Sequence, residues 1–116
     1  MLLKYLKPII FIQFIFFCLY IYSNDFNKFT AAFNNKNYHE ALELIQKEYN
    51  RNPEDNGYRY WYGLALYYNK KYIECAYVLK KLPLTYFTYL VQWYIADSYA
   101  KSGNYSELIS TASNAL

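Results

Sequence analysis

Few side chains in this sequence have the type and spacing to act on a substrate, and they do not converge. They are one histidine, His39, two cysteines, Cys18 and Cys75, and three glutamates, Glu40, Glu74 and Glu107. A single histidine can neither fill a metal set nor serve as base to a nucleophile that is not beside it. His39 follows a predicted turn and reads as solvent-facing, and Cys75 reads as a buried structural thiol on a helix. The glutamates recur at a fixed interval, each in the first turn of a helix, where a carboxylate complements the helix dipole. No catalytic residue, metal site or cofactor is expected, and the chain does not read as an enzyme. What remains is aromatic: 17 Tyr, 8 Phe and 2 Trp in 116 residues. Such rings combine a large apolar area with a polar edge, which suits recognition.

Charge narrows the partner. The formal net charge is +3. Setting aside Lys4 and Lys7 leaves ten basic residues against nine acidic ones. That field is too weak for nucleic-acid binding through phosphate neutralisation. The doublets Lys70-Lys71 and Lys80-Lys81 read as solvated surface, with contact to an acidic partner or a lipid headgroup as the alternative.

The N-terminus has its own logic. Lys4 and Lys7 precede fourteen uncharged residues, Ile9 to Tyr22, and Ser23-Asn24-Asp25 closes the run. A basic stretch leading into a short apolar one has the form of a secretory signal. A membrane span needs about 20 apolar residues, so this one is short. Ile21 and Ser23 suit a cut after Ser23. An uncleaved anchor lengthened by Leu2 to Leu6 is the alternative, and a lipidated Cys18 is disfavoured by the bulky Phe17 before it. Residues 1–23 are thus expected to be a signal peptide or membrane anchor, placing the chain outside the cytoplasm (periplasmic or extracytoplasmic) or at a membrane. Asn24 or Asp25 would cap the first helix of the remaining chain.

The elements that position the aromatics come from an internal repeat. Asn37-Tyr38-His39-Glu40-Ala41-Leu42, Lys71-Tyr72-Ile73-Glu74-Cys75-Ala76 and Asn104-Tyr105-Ser106-Glu107-Leu108-Ile109 align without gaps, with the tyrosines 34 and 33 residues apart. Nine residues before each tyrosine stands Phe29, Gly63 or Ala96, and seven after it Ile45, Leu79 or Ala112. These offsets place one apolar stripe on each of two helices per unit. The predicted helices are about 25–34, 38–50, 57–69, 72–82, 88–101 and 105–116. Gly103-Asn104 and Pro83 to Tyr86 act as breakers.

The pattern resembles the tetratricopeptide repeat (TPR), a helix–turn–helix unit of 34 residues. Gly63 and Ala96 meet its small position on the first helix, and Phe29 departs from it. Tyr38, Tyr72 and Tyr105 supply its turn aromatic. Ala41 and, roughly, Cys75 supply its second small position, where Leu108 does not fit, and Pro53 supplies its closing proline. The resemblance implies an all-α fold: a right-handed superhelical array of about three TPR-like repeats (about 24–55, 56–88 and 89–116), preceded by an N-terminal apolar helix.

In such arrays the first helices line a concave groove that receives a peptide or helix. Helical spacing places Phe26, Thr30 and Phe33 there from the first unit, then Tyr60, Leu64, Tyr67 and Tyr68, then Leu90, Trp93, Asp97 and Lys101. The groove is aromatic and carries little charge. The family's carboxylate-holding pattern is not carried over, because Thr30 and Leu64 stand at its positions. The expected function is a non-enzymatic protein-binding adaptor, exported or membrane-held. The alternative is a structural subunit of a larger membrane-associated or envelope complex, assembled through its terminal and outer faces. The array also lacks a polar closing helix. This leaves Leu108, Ile109 and Ala112 uncovered and points to self-association or a partner at that end.

Overall fold

The computed structural model describes the backbone of residues 3–115, and the side chains at 3, 5, 18–24, 111–112 and 114–115 lie outside the description. The readings that rest on Cys18, Ile21, Ser23, Asn24, Ala112 and Leu116 as side chains therefore fall outside it too. Among the described residues six α-helices succeed one another: α1 (Leu3–Asn34), α2 (Tyr38–Arg51), α3 (Asn56–Tyr68), α4 (Tyr72–Lys80), α5 (Tyr89–Lys101) and α6 (Tyr105–Ala115), with one 3-10 turn at Leu84–Tyr86. Each helix packs on the next, so the chain forms three hairpins, α1–α2, α3–α4 and α5–α6, and α3 also touches α5. The fold is all-α, as the repeat implied.

The same device makes all three hairpin turns. Lys36 (φ 62°), Lys70 (φ 63°) and Gly103 (φ 77°) occupy the left-handed region, each two residues before a turn tyrosine. The next N–H then reaches back to the last helical turn: Asn37 to the Ala32 carbonyl at 2.8 Å, Lys71 to Leu66 at 2.9 Å, and Asn104 to Tyr99 at 2.9 Å. This is the glycine-favouring helix stop. A lysine there costs about 1 kcal/mol. Lys36→Gly is accordingly expected to stabilise the protein by several tenths of a kcal/mol up to about 1, read as a raised denaturation midpoint at unchanged slope.

Close packing of the central hairpin depends on Gly63. A Cβ built there would lie 2.3 Å from Leu79 Cδ2 and 2.6 Å from Leu79 Cγ. The first unit works differently. Phe29 holds the equivalent place and is fully buried, its ring 5.7 Å from Phe26, 5.7 Å from Phe33 and 5.9 Å from Trp61. There a large ring fills the seam between α1 and α3 in place of a small residue that closes it. Asp55 caps α3 by accepting the Tyr58 N–H at 3.0 Å, and Thr88 caps α5 by accepting that of Val91 at 3.4 Å. Arg59 bridges two connections, donating to the carbonyls of Pro53 (2.7 Å) and Lys81 (3.1 Å).

Two boundaries differ from the sequence reading. No helix starts at Asn24 or Asp25: α1 is one helix of 32 residues. Ser, Asn and Asp lower helix propensity by only tenths of a kcal/mol each, too little to stop a helix by themselves. The second difference is at α4, which ends at Lys80 rather than near Leu82, because the fixed ring of Pro83 forces its predecessor out of helical geometry. Leu82 is nevertheless buried.

From Leu6 to Phe17, every large apolar residue of α1 with a described side chain is exposed. Among the described residues, no helix is long and apolar enough to cross a membrane.

Where α1 meets α2, Glu48 is fully buried and Arg51 donates to its carboxylate at 3.1 Å. Arg51 also pairs with Asp25 at 3.5 Å. Burial pushes the Glu48 carboxyl above its ordinary range. Arg51 pulls it back, and the neighbouring Asp25 adds to the rise.

Candidate partner-binding face

The reactive side chains stand apart from one another. His39 is exposed and pairs with Glu43 at 3.3 Å, one helical turn on. Cys75 is buried, and burial raises its thiol to about 11, against weaker lowering by Ser98 and the Tyr67 backbone. A thiol so held is protonated at neutral pH and unreactive. Among the described residues no group of three metal-ligating side chains comes together.

The aromatic residues do come together, where the last turn of α3 meets α5. Tyr67 is the hub. Its ring lies 4.8 Å from that of Tyr94 and 6.0 Å from that of Trp93. Its hydroxyl donates to the Asp97 carboxylate and accepts from Lys101 Nζ at 2.7 Å. Lys101 pairs with Asp97 at 2.8 Å, closing a three-membered network between the second and third units. Burial raises the Asp97 pKa, but the bonds from Lys101 and Tyr67 outweigh it and hold the carboxyl below its usual range. The bond to Asp97, then that to Tyr67, raises the Lys101 ammonium. Burial and the bond to Asp97 push the Tyr67 phenol up. The network is therefore a locked, internally neutral ion pair at physiological pH.

Beside it a second chain of rings runs back to the first unit. Tyr68 stacks on Tyr38 at 4.8 Å, meets Phe33 edge-on at 5.5 Å, and shares a 2.8 Å hydroxyl–hydroxyl bond with Tyr94. Asn69 stitches the same place, donating to the carbonyls of Tyr38 and Ala65, each at 2.7 Å. Burial, and then Tyr68, raises the phenols of both Tyr60 and Tyr94.

The groove residues named from sequence do not all lie together. Phe33, Tyr67, Tyr68, Trp93, Asp97 and Lys101 form one continuous patch, and Tyr60 adjoins it next to Trp61, 5.1 Å away. Phe26 lies away from the patch, against Phe29 and Tyr58. Leu64 and Tyr67 are buried in the core, so a partner could reach Tyr67 only at its edge. Trp93 at 52% and Leu90 at 50% exposure are what a partner would meet. Thr30, half-buried, turns its hydroxyl to the Asn27 carbonyl at 2.9 Å. Sequence reasoning does not find Tyr94, Trp61 or Tyr38 for this face. Tyr94 lies four residues after Leu90, the same spacing that selects Asp97 after Trp93, and extending the stripe one residue sideways would have included it.

Residues 18–82, more than half of the chain, match the family model described as anaphase-promoting complex, cyclosome, subunit 3. The chain belongs to that family. It is a family of TPR-like repeats, which confirms the repeat reading and brings with it protein–protein interaction as a general role. No curated protein and no solved structure matches this TPR-family chain. The matched span runs from within α1 to the end of α4 and stops just before Pro83. The exposed face of α5 therefore lies beyond the family match.

Proposed function

We propose that this protein is a non-enzymatic adaptor that receives a segment of a partner protein on the aromatic face of α3 and α5, with Trp93 as its anchor. The observation that carries this is Trp93 itself. It is half-exposed while its ring rests on Tyr94 at 5.1 Å and Tyr67 at 6.0 Å, both of them buried. An indole presented on a rigid aromatic base contacts a partner with little ordering entropy, the usual character of a hot spot. The apolar start of α1 supports an exported or membrane-held location. A helix apolar on all sides is at rest only in an apolar medium, and Lys4 and Lys7 give it a basic end. Cleaved, residues 1–23 would be a leader; uncleaved, they would hold the chain at a membrane.

The test is partner capture by the full chain and by a Tyr60→Ala/Trp93→Ala variant, solubilised in mild detergent, with mass spectrometry of the bound proteins and of the N-terminus. Loss of one or more partners, at unchanged helical content and with a drop in affinity of at least about 30-fold, is expected. Retained capture would eliminate the groove. A second reading has its own observation. Tyr105 and Ile109 of α6 are both about two-thirds exposed, and the family is named for a subunit of a complex. If the variant keeps its partners and replacement of Ile109 loses them, the chain is a structural subunit assembled, with itself or others, through its C-terminal end.

A further inference from the structure

The turn edge of the array carries a charge pattern that the aromatic face leaves unexplained. Lys36 and Lys70 occupy equivalent turns, and Lys71 precedes α4. All three are exposed. None is paired with a described carboxylate, although Glu40 and Glu74 stand within a turn of them. Glu40 is engaged by Asn37 Nδ2 at 2.7 Å. Lys101, the other lysine at this edge, is closed off by Asp97. Lys36 and Lys70 also hold left-handed backbone that glycine would adopt at less cost, as Gly103 does in the third turn.

The position of these lysines relative to the rings matters more. Lys36 lies between Phe33 and Tyr38, and Lys70 and Lys71 lie between Tyr68 and Tyr72. Tyr38 and Tyr68 stack on each other at 4.8 Å, and Tyr67 meets Tyr72 at 5.5 Å. Unpaired positive charge therefore borders the aromatic patch along one edge. The opposite end of α3 carries both signs: Glu54 and Asp55 stand in the α2–α3 connection, and Arg59 lies beside them, donating to the carbonyls of Pro53 and Lys81.

We propose that the segment received by the aromatic face is an apolar stretch of a partner protein carrying a cluster of carboxylates, and that Lys36, Lys70 and Lys71 hold that cluster at the turn edge. This rests on the adaptor reading and adds the partner's chemistry to it. Apolar contact on Trp93 supplies most of the affinity. The lysines select acidic partners, speed encounter and set which end of the segment lies at the turns.

The experiment uses the full chain in zwitterionic detergent. A labelled helical peptide with leucine and phenylalanine on one face and glutamates at one end is titrated by anisotropy against its glutamine twin. The expected result is that the acidic peptide binds about tenfold more tightly than the twin. The advantage should shrink with added salt, disappear in Lys36→Gln/Lys70→Gln/Lys71→Gln, and survive in the triple arginine variant. Equal affinity for the two peptides, with both lost on Trp93→Ala, would overturn the lysine role and leave the aromatic face standing. No binding, or binding indifferent to Trp93→Ala, would overturn both. Vesicles of phosphatidylserine in phosphatidylcholine supply the remaining arm. If the triple glutamine variant loses vesicle binding but keeps the peptide unchanged, the lysines serve a lipid surface and the proposal is overturned.

Discussion

Alanine at Phe29 is expected to lower the free energy of unfolding by about 3–5 kcal/mol, the usual result of truncating a buried aromatic ring. The ring is fully buried and touches three others, two on its own helix and Trp61 on α3. Truncation leaves a cavity where two helix backbones are held apart, and they cannot close on it without shifting α1 against α3. Ring–ring contacts at these separations add about 0.5–1.5 kcal/mol each beyond area burial. A domain of this size has only about 5–15 kcal/mol in total. Urea unfolding of the full chain, monitored by circular dichroism, should show a large fall in midpoint. A loss below about 1 kcal/mol would mean that the first unit is not held by this ring.

The reverse change, adding one methyl group at Gly63, should also be destabilising. In an open helix Gly→Ala gains about 0.5–1 kcal/mol. Here the new Cβ would sit 2.3–2.6 Å from two carbons of Leu79, which is fully buried. Overpacking of this kind costs about 1–3 kcal/mol, so the net sign is unfavourable. A double-mutant cycle isolates the cause. Leu79→Ala alone should cost about 2–5 kcal/mol. In the Gly63→Ala background it should cost less by at least about 1 kcal/mol, because the incoming methyl takes up part of the vacated volume. Additive effects would show that the contact at Gly63 does not set the α3–α4 distance.

The repeat was legible because its signals are local. Tyrosine at the turn, glycine or alanine nine residues before it, and proline or glycine at the breaks each act within one unit, and their 34- and 33-residue spacing multiplied weak signals into a strong one. Phe29 looked like a defect in that pattern. Its buried ring shows a different solution to the same packing problem, visible only once Trp61 is seen to face it from the next unit. The candidate site was half legible. Helical spacing identified the side of α5 that carries Trp93, Asp97 and Lys101, but could not say how far α3 leans into α5. Leu64 and most of Tyr67 are buried there, and Tyr94 reaches the Tyr68 hydroxyl. Helix continuity through Ser23 was not legible either, since polar residues of that kind stop some helices and are carried by others.

That continuity bears on when the chain could be processed. A peptidase must draw its substrate out as an extended strand, and Ser23 lies well inside α1, which continues from it to Asn34 and packs on α2. Once the first hairpin has formed, exposing that bond requires local unfolding across the α1–α2 seam that contains Asp25, Glu48 and Arg51, at a free energy set by the stability of the seam. Cleavage and folding would therefore compete. A chain cut promptly would begin its first repeat at Asn24, whereas one that folds first would keep its apolar helix. The fate of the first 23 residues would then depend on a race between two rates, with a stabilised α1–α2 seam favouring retention.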